Sequence, residues 1–382
     1  MGLTSRERVT KAINHQEPDR IPVDLNPLYD FYVQLKDHMG IEIEEKISHN
    51  LAMEVIPHPE VLKKLGVDVT AVKLGSVKGV SKEERTDGLV KDDWGILYKL
   101  VNQPGGGRYY EVVHSPLKDA TLNDLEKYPW PIADLPGRGE GAETAAKHLY
   151  EDTDLAIMGR FGGAITEIAL YMLGMENWMT RLAMDPEFIH ALLTKIADIQ
   201  IALDRIGLEA TAKYLTIYKA SGEDLGMQMG PMYSPKMFRE MFLPYFTRRF
   251  QAAREYLDEV NPEVKIMLHS CGSIRRFLPE LIEAGVDIID PVQPHAAEMN
   301  TAELKRDFGS QLTFHGAVDI QQVLPFGTAE EIDQEVKERI FTLGKGGGYI
   351  LAPAHNVQAD VPAKNIVRMC EAVGKFGSYP LS

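Results

Sequence analysis

Residues 264–290, with the sequence VKIMLHSCGSIRRFLPELIEAGVDIID, contain the pattern that decides the fold. An apolar run at 264–268 is typical of a buried strand, a helix-like segment follows at 274–283, and a second apolar run fills 286–290. The polar sequence HSCG stands at 269–272, where the first strand ends. This stretch therefore predicts a strand–helix–strand unit that carries polar side chains at the carboxyl end of its first strand.

The same alternation continues on both sides of this unit through the last two-thirds of the chain. Further strands are predicted at 155–159, 214–220, 312–316 and 349–352, and helices at 142–151, after Pro186, after Pro235, after Asn300, at 328–343 and after Pro362. Alternating strands and helices are typical of a parallel sheet with right-handed crossovers. Because the strands are short and no glycine fingerprint follows the first of them, we predict the α/β class and a (β/α)8 TIM barrel with N-terminal additions.

The first 150 residues are less regular than the rest. They are predicted to hold N-terminal helices, an entering strand at 21–25 and a β-hairpin excursion around the glycine run 105–107. No helix and no Lys-Ser/Thr pair follow that run, so it is interpreted as a turn rather than as a phosphate-binding loop. The prediction is one domain, 1–382, in which 1–150 carry these additions and 150–375 carry the regular β/α repeats.

The composition is that of a globular protein and excludes several functional classes. Of the 382 residues, 44% are hydrophobic and 25% charged, and the net charge of −15 argues against binding nucleic acid or an anionic membrane through a broad basic face. No apolar stretch approaches the roughly 20 residues of a membrane span, and the N-terminus has no signal-peptide core. Two cysteines, Cys271 and Cys370, exclude a disulfide framework. A reducing cytoplasm is therefore the expected location.

Polar clusters follow six of the predicted strands directly. They lie at 159–161, 221–224, 269–271, 290–293, 315–319 and 353–356. Enzymes with the TIM-barrel fold build their sites from the loops at the carboxyl ends of the strands. The sequence therefore predicts one functional site at this end of the barrel.

His269 and Cys271 are the strongest candidate ligands for a metal ion. They are two residues apart in an extended loop, so their side chains can reach one point, and an imidazole with a thiolate suits zinc. Taken alone, the pair is more typical of a half-buried cysteine beside a hydrogen-bonded histidine. The polar clusters on the neighbouring strand ends favour the metal site.

A catalytic zinc site takes a third protein ligand and keeps an open position. We predict His355, which follows the last strand, as this third ligand. His315 competes with it but is expected to be a packing or backbone-bonding histidine, and Cys370 is expected in the core on the terminal helix. The fourth ligand is either Glu167 or a water molecule, and Glu167 is equally compatible with a role in the first turn of a helix.

Several motifs together resemble the uroporphyrinogen decarboxylase superfamily, whose members have a distorted TIM-barrel fold. The motifs are GEDLGMQ at 222–228 with GPMYSP at 230–235, HSCG at 269–272, HGAVD at 315–319 and GYILAPAHN at 348–356. The resemblance covers 150–375 well and the first 150 residues loosely.

This resemblance implies one of two chemistries. Uroporphyrinogen decarboxylases are metal-free and hold the carboxylates of a tetrapyrrole with an arginine-rich N-terminal motif, whereas this chain has PVDLNPLY at 22–29 in that place. The other branch contains zinc-dependent methyltransferases that work with corrinoid proteins. His269 and Cys271 match the His-x-Cys ligands of methylcobamide:coenzyme M methyltransferases, but His355 stands in place of the later cysteine.

With an imidazole at this third position, the chain resembles the relatives that catalyse the first methyl transfer, from the donor to the corrinoid. Such a relative moves a methyl group to a Co(I) corrinoid from a methyl ether or a similar donor. The ether is expected above all to be aromatic, so that the reaction is an aromatic O-demethylation. No Asp-x-His-x-x-Gly motif of a cobalamin-binding module occurs in the sequence, so the corrinoid is expected on a separate protein. A homodimer is compatible with this assignment. A decarboxylase, a coenzyme M-type methyltransferase and a non-enzymatic barrel that serves as a binding partner, with a structural zinc or none, remain open as alternatives.

Two acidic residues are the predicted catalytic carboxylates within this assignment, namely Glu167 and Asp224. Asp224 and Gln228 are further predicted to position the substrate. Their alternative role is to cap the loop that precedes Pro231.

Three other polar residues are predicted to contact the substrate. Arg160 and Gln293 are assigned to a ring substituent such as a carboxylate or a hydroxyl group. Asn356 is assigned to the substrate as well, and its alternative role is to orient His355 or its loop.

Overall fold

The computed structural model describes residues 2–45, 47, 50–77, 88–103 and 106–381. The strands within these ranges are β1 (Val69–Lys73), β2 (Leu89–Lys91), β3 (Leu97–Asn102), β4 (Arg108–His114), β5 (Ala156–Arg160), β6 (Ile217–Gly222), β7 (Gly226–Met227), β8 (Gly230–Pro231), β9 (Lys265–His269), β10 (Ile288–Val292), β11 (Thr313–Val318) and β12 (Tyr349–Pro353).

The helices cover most of the remaining described chain. They are α1 (Ser5–Ile13), α2 (Tyr29–Met39), α3 (Pro59–Leu65), α4 (Leu122–Lys127), α5 (Arg138–Asp152), α6 (Thr166–Leu173), α7 (Met175–Met184), α8 (Pro186–Thr211), α9 (Pro235–Met237), α10 (Leu243–Val260), α11 (Leu278–Glu283), α12 (Thr301–Phe308), α13 (Val323–Phe326), α14 (Ala329–Leu343) and α15 (Ala363–Phe376). A π-helical turn, Phe238–Phe242, joins α9 to α10. None of the helices in the described ranges is both long and apolar enough to cross a bilayer.

Seven strands form one parallel sheet in the order β1-β5-β6-β9-β10-β11-β12. Strands that are neighbours in this sheet also follow one another along the chain, and the helices between them supply the crossovers that parallel pairing needs. The predicted α/β class is therefore confirmed. Strands predicted to end at 159, 268 and 290 end instead at Arg160, His269 and Val292, so that polar residues assigned to loops belong to the strands.

The sheet curls around a small apolar interior. Successive strand residues point to opposite faces, and one face contributes a buried cluster that is separate from the main core: Val9, Ile13, Val69, Ala156, Met158, Ile217, Met267, Ile288 and Ile350. The first two of these come from α1, which closes the amino end of the interior. The opposite face of the strands packs against the helices in the main core.

The segment 21–25, predicted as an entering strand, lies between the two outer strands of this sheet. Val23 forms an isolated parallel bridge with Leu351 of β12, and the N–H of Asp68, just before β1, donates to the carbonyl of Val23 at 2.8 Å. Pro22 has no N–H to add to a ladder, and the N–H of Val23 donates to the Asp68 side chain at 2.9 Å. The described chain thus has seven regular strands in the main sheet rather than the predicted eight.

Buried Asp68 fastens the N-terminal segment to the start of β1. Its carboxylate accepts hydrogen bonds from Ser5 Oγ at 2.7 Å, from Arg8 Nη1 at 2.7 Å and from Arg20 Nη1 at 2.7 Å. Burial of a carboxylate is tolerated when its charge is paired and its oxygens are hydrogen-bonded. This contact fixes α1 beneath the curled sheet.

The predicted β-hairpin is confirmed and gains a third strand. Strands β3 and β4 pair antiparallel, and β2 pairs with the other edge of β3. Gly105 of the predicted turn lies outside the described residues.

Helix α6 was named only as an alternative for Glu167, and α7 was not predicted. The first residues of α6 have no local side-chain cap, and the N–H groups of Ile165 and Thr166 donate instead to the carboxylate of Glu223, at 2.6 and 2.9 Å. A cap supplied from a residue so distant in sequence leaves no local signal, because sequence signatures of helix ends depend on neighbouring residues.

Candidate metal centre

His269, Cys271 and His355 lie together at the carboxyl end of the parallel sheet. His269 is the last residue of β9, Cys271 follows two positions later, and His355 lies two positions beyond the end of β12. One ligand atom of each side chain lies within 4.8 Å of the other two, and Cys271 Sγ is 3.4 Å from His269 Nε2. The structure therefore brings the three predicted ligands to one point.

This donor set fits a zinc ion. Zn–S distances of about 2.3 Å and Zn–N distances of about 2.0–2.1 Å place tetrahedral ligand atoms about 3.4–3.6 Å apart. The 3.4 Å separation between Cys271 Sγ and His269 Nε2 already meets this requirement. Among the described histidines, cysteines and acids, no fourth residue joins the triad at the same spacing. Three protein ligands with an open fourth position are characteristic of catalytic zinc.

Two glycines bring the loops after β6 and β9 into backbone contact. Gly272 has a φ of +78°, and a Cβ atom there would lie 2.4 Å from the backbone carbon of Gly226. A Cβ atom on Gly226 would lie 2.6 Å from the carbonyl oxygen of Cys271. Only residues without a side chain permit this approach. It places the Asp224 carboxylate beside Cys271, whose N–H donates to Asp224 Oδ1 at 3.1 Å.

Buried Asp290, on β10, orients the first candidate ligand, His269. Its Oδ2 lies 2.8 Å from His269 Nδ1 and accepts from Lys219 Nζ at 2.6 Å. Burial raises the pKa of the Asp290 carboxyl, but Lys219, His315 and His269 outweigh that effect and hold it well below its usual value. An ionised carboxylate only accepts hydrogen bonds, so the proton of His269 resides on Nδ1 and the lone pair of Nε2 faces Cys271.

His315 extends this network and lies outside the triad. Its Nδ1 lies 2.7 Å from Asp290 Oδ1 and its Nε2 lies 2.9 Å from Asp24 Oδ2. Burial disfavours the imidazolium, but the two carboxylates outweigh it and raise the pKa of His315 to about 9. Both ring nitrogens therefore donate to carboxylates. The predicted exclusion of His315 from the ligand set agrees with this geometry, although its partners are carboxylates rather than backbone groups.

The other two candidate ligands, Cys271 and His355, lie in environments that disfavour the charged forms of their side chains when no metal is bound. Burial, followed by Asp224 and Asp290, raises the pKa of the Cys271 thiol, and burial together with His269 lowers the pKa of His355. A neutral imidazole is the form that binds a metal. Thiolates, by contrast, form readily when a dication is present, because the ion supplies the largest local charge.

The two predicted catalytic carboxylates, Asp224 and Glu167, have different surroundings. Asp224 Oδ1 is 3.8 Å from His269 Nε2, and its side chain is half exposed. Glu167, in the first turn of α6, accepts a hydrogen bond from Tyr171 Oη at 2.6 Å. Burial raises the pKa of Glu167, and Asp224 and Glu54 raise it further. The position in the first turn of a helix, which was the alternative for Glu167, is thus observed, and its place as a fourth ligand stays a prediction.

Gln293 and Gln228 occupy different parts of the site. Gln293 joins the loops of two ligands, because its Oε1 accepts from Gly272 N at 2.7 Å and its Nε2 donates to Ala354 O at 3.3 Å. Gln228 is exposed on the β7–β8 hairpin and donates to the carbonyl of His295 at 2.6 Å. Their predicted contacts with a substrate stay predictions.

Arg160 and Asn356 both contact one acidic residue from the N-terminal part of the chain, Glu54. Arg160 Nη2 lies 2.7 Å from each oxygen of Glu54, and Asn356 Nδ2 donates to Oε1 of the same carboxylate at 3.2 Å. Burial raises the pKa of Glu54, but Arg160, Lys73 and Lys219 outweigh it and lower that pKa strongly. The Asn356 side chain therefore fixes the position of the His355 loop against Glu54.

Sequence reasoning assigned no role to Asp290, Lys219, Lys73 or Glu54. The sequence nevertheless contained a signal for the polar residues at the strand ends. Each of them follows an apolar residue of the sheet interior by two positions, so the two side chains lie on the same face of the sheet. The pairs are Ala71 and Lys73, Met158 and Arg160, Ile217 and Lys219, Met267 and His269, and Ile288 and Asp290. Glu54 gave no such signal, since it lies outside the strands.

Comparisons with known proteins agree with this architecture. The profile of the family described as "Uroporphyrinogen decarboxylase (URO-D)" matches residues 106–376. A uroporphyrinogen decarboxylase of Pseudoalteromonas translucida is 24% identical over 72% of this chain and 75% of its own length. A methylated-thiol–coenzyme M methyltransferase of Methanosarcina mazei is 24% identical over 53% of this chain and 50% of its own length.

A solved structure supports the fold over nearly the whole chain. A methyltransferase from Methanosarcina mazei superposes with a TM-score of 0.63 at 18% identity, over 98% of this chain and 99% of the other. At this identity the likeness establishes the common fold.

Proposed function

Because the chain belongs to the uroporphyrinogen decarboxylase (URO-D) family, we propose that it is a member of the methyltransferase branch of that family and holds a zinc ion at its active centre. In this proposal the enzyme moves a methyl group from a methyl ether, an aromatic one above all, to the Co(I) corrinoid of a separate protein. The donor, the metal and the corrinoid partner are all parts of the proposal.

The observation that carries the proposal is the triad of His269, Cys271 and His355, with ligand atoms within 4.8 Å of one another. One thiolate and two neutral imidazoles leave a zinc site with a net charge of about +1, which is more electrophilic than a site with two thiolates. Such a centre suits the activation of an oxygen leaving group. A second thiolate would suit the binding of a thiol instead, which makes a coenzyme M-type reaction the weaker alternative.

When bound, the zinc ion supplies a Lewis acid that stabilises the negative charge developing on the ether oxygen as the methyl group leaves. The residues of the chain hold the geometry for this chemistry. Asp290 keeps the Nε2 lone pair of His269 available, and Gln293 fixes the loop of Cys271 to the loop of His355. Groups that are positioned before reaction pay no reorganisation cost during it.

Glu167 is suited to deliver the proton that the departing oxygen needs. Burial raises the pKa of its carboxyl, and a raised pKa favours the protonated form that a general acid requires. Tyr171 Oη donates to Oε1 of this carboxyl at 2.6 Å, which leaves Oε2 to carry the proton. Methyl transfer then yields a methylated corrinoid and a neutral alcohol or phenol.

Decarboxylation of uroporphyrinogen is the competing function, and several relatives carry that name. The sequence at 22–29, PVDLNPLY, offers no arginine to the carboxylates of a tetrapyrrole. Cations are needed to hold such a highly anionic substrate. The triad also has no role in a metal-free reaction.

The decisive experiment is a methyl-transfer assay with zinc-reconstituted protein, a reduced corrinoid protein and a panel of phenyl methyl ethers. We expect methylated corrinoid to form, and to form no longer after zinc is removed with a chelator. Elemental analysis of protein purified without chelators should find about one zinc per chain, and less in Cys271→Ser. Formation of coproporphyrinogen from uroporphyrinogen, with no methyl transfer from any ether, would contradict the proposal.

A further inference from the structure

The carboxylate of Glu223 caps helix α6 from a distant part of the chain. Its Oε1 accepts a hydrogen bond from the N–H of Ile165 at 2.6 Å, and its Oε2 accepts one from the N–H of Thr166 at 2.9 Å. The hydroxyl of Thr166 also donates to Oε2. Both Glu223 and Thr166 are buried. The start of α6 is therefore fixed by one buried side chain that follows directly after β6.

This cap is costly, because a carboxylate loses its hydration when it is buried. The charge of Arg249 acts on Glu223, but the Arg249 guanidinium donates to Asp204 and to the carbonyl of Gly163 instead. Glu223 thus has hydrogen bonds but no direct ion pair with the described cations. A serine, threonine, asparagine or aspartate at position 165 would cap the helix locally, whereas Ile165 packs in the main core. The distant cap therefore needs a reason beyond the stability of α6.

The backbone of Glu223 is bonded to the loop that carries two of the candidate metal ligands. The N–H of Glu223 donates to the carbonyl of His269 at 2.8 Å. The next residue along the chain makes a second link, because Asp224 Oδ1 accepts from the N–H of Cys271 at 3.1 Å. Glu223 thus contacts the loop 269–271 through its backbone and the start of α6 through its side chain.

Helix α6 carries Glu167, the proposed proton donor, directly after the capped residue Thr166. Tyr171, one turn further along the same helix, donates to the Glu167 carboxyl at 2.6 Å, so both groups move with the helix. Burial raises the pKa of Glu167, Asp224 raises it further and His269 lowers it, so charges of the candidate centre act on this carboxyl. Its distance from a departing oxygen therefore depends on where α6 begins.

We propose that Glu223 is a positioning residue, which joins the loop 269–271 to α6 and so holds the Glu167 carboxyl where it can protonate the departing oxygen. This inference rests on the proposed function, since it concerns the same leaving group. Glu223 itself contacts neither the donor nor the candidate metal and acts through α6. A metal bound at the triad, by fixing His269 and Cys271, would also fix the start of this helix.

The test compares two donors whose leaving phenols differ in acidity, para-cyanoanisole and para-methylanisole. The cyano compound releases a stabilised phenolate and needs little proton donation, whereas the methyl compound releases a more basic one. Thr166→Val keeps the shape of the side chain but removes the hydroxyl that donates to Glu223. We expect its kcat for para-methylanisole to fall on the order of 10- to 100-fold, as a misplacement of about 1 Å can cause. Its kcat for para-cyanoanisole and both KM values should change little, and Thr166→Ser should restore the wild-type rates.

A double-variant cycle identifies the group through which Glu223 acts. Glu223→Gln should show the same dependence on the donor, because the amide offers one oxygen to two backbone N–H groups. Added to Glu167→Gln it should have no further effect, since the group that it positions is then absent. The matched control is Thr328→Val, which removes the local cap of α14, a helix without site residues, and should alter neither kcat. Equal losses for both donors, or losses that multiply in the double variant, overturn the inference.

Hydrogen exchange of the Ile165 and Thr166 amides separates this inference from the proposed function. Addition of zinc alone should slow the exchange of both amides in the wild-type protein but not in Glu223→Gln. In that variant the exchange should be about 10-fold or more faster, the value of a lost hydrogen bond to a charged group. If this pattern is found while no ether is demethylated, the link through Glu223 stands and only the proposed function fails. Zinc protection that is absent from the wild-type protein, or equal in the two proteins, overturns the inference even if methyl transfer occurs.

Discussion

The carboxylate of Asp290 contacts side chains from three other strands: Lys219 on β6, His269 on β9 and His315 on β11. A single charge in this position both neutralises its cationic neighbours and decides which nitrogen of His269 carries the proton. Groups that orient metal ligands in this way tune the affinity of the site without touching the ion. Asp290 is therefore a positioning residue of the proposed centre.

We expect Asp290→Asn to lower the zinc affinity by about 10- to 100-fold, the usual cost of losing such a partner. The amide keeps the shape of the side chain but removes the charge that selects the Nδ1–H tautomer of His269. Competition against a chromophoric chelator measures the affinity directly. The matched control is Asp198→Asn, at an exposed carboxylate paired with Arg248. An unchanged dissociation constant in a folded Asp290→Asn protein would refute the orienting role.

At the scale of elements, the site depends on how closely two loops approach. The loops after β6 and β9 touch through Gly226 and Gly272, and the N–H of Ser273 donates to the carbonyl of Met227 at 3.0 Å. The β7–β8 hairpin is thereby held against the Cys271 loop. This backbone contact holds the loop that carries the Cys271 thiol.

Gly272→Ala should disrupt this contact. The new Cβ atom would meet Gly226 at 2.4 Å at a φ of +78°, so we expect the free energy of unfolding to fall by about 1–3 kcal/mol. We also expect the zinc affinity to fall, because Cys271 moves away from His269. The matched control is Gly230→Ala in the same hairpin, where no atom lies within 4 Å of the added carbon. Equal unfolding midpoints and equal zinc affinities for the two variants would show that the loop contact is unimportant.

The elements that hold the site were largely predictable, whereas their mutual contacts were not. The alternation of apolar runs and capping residues locates β9, β12 and α14 because it depends on local periodicity. The His269-x-Cys271 pair is likewise local. Asp290 reaches His269 only because β9 and β10 pair in one register, and register is set by packing across the sheet. Helix α6 was left as one of two alternatives for a similar reason, since its cap comes from the distant Glu223.

At the scale of the whole molecule, the triad contributes nothing to the two buried apolar clusters. The interior cluster and the main core are made of apolar residues from the strands and helices, and α1 is fastened below the sheet by Asp68 rather than by the metal centre. Hydrophobic burial on this scale supplies the dominant stabilising term of a large domain. Loss of a metal ligand should therefore leave the architecture in place.

His355→Ala tests whether zinc is catalytic or structural. If it is catalytic, the variant should lose methyl transfer by on the order of 10²–10³, the cost of one strong electrostatic stabiliser. Its melting temperature should then match that of chelator-treated wild type, because only the mass-action stabilisation by bound zinc is lost. If zinc instead holds the fold together, the variant should melt far earlier while its remaining folded fraction stays active. Thermal melts run in parallel with methylation of a Co(I) corrinoid by an aryl methyl ether distinguish the two, and near-normal turnover with a lowered melting temperature would rule out the catalytic role.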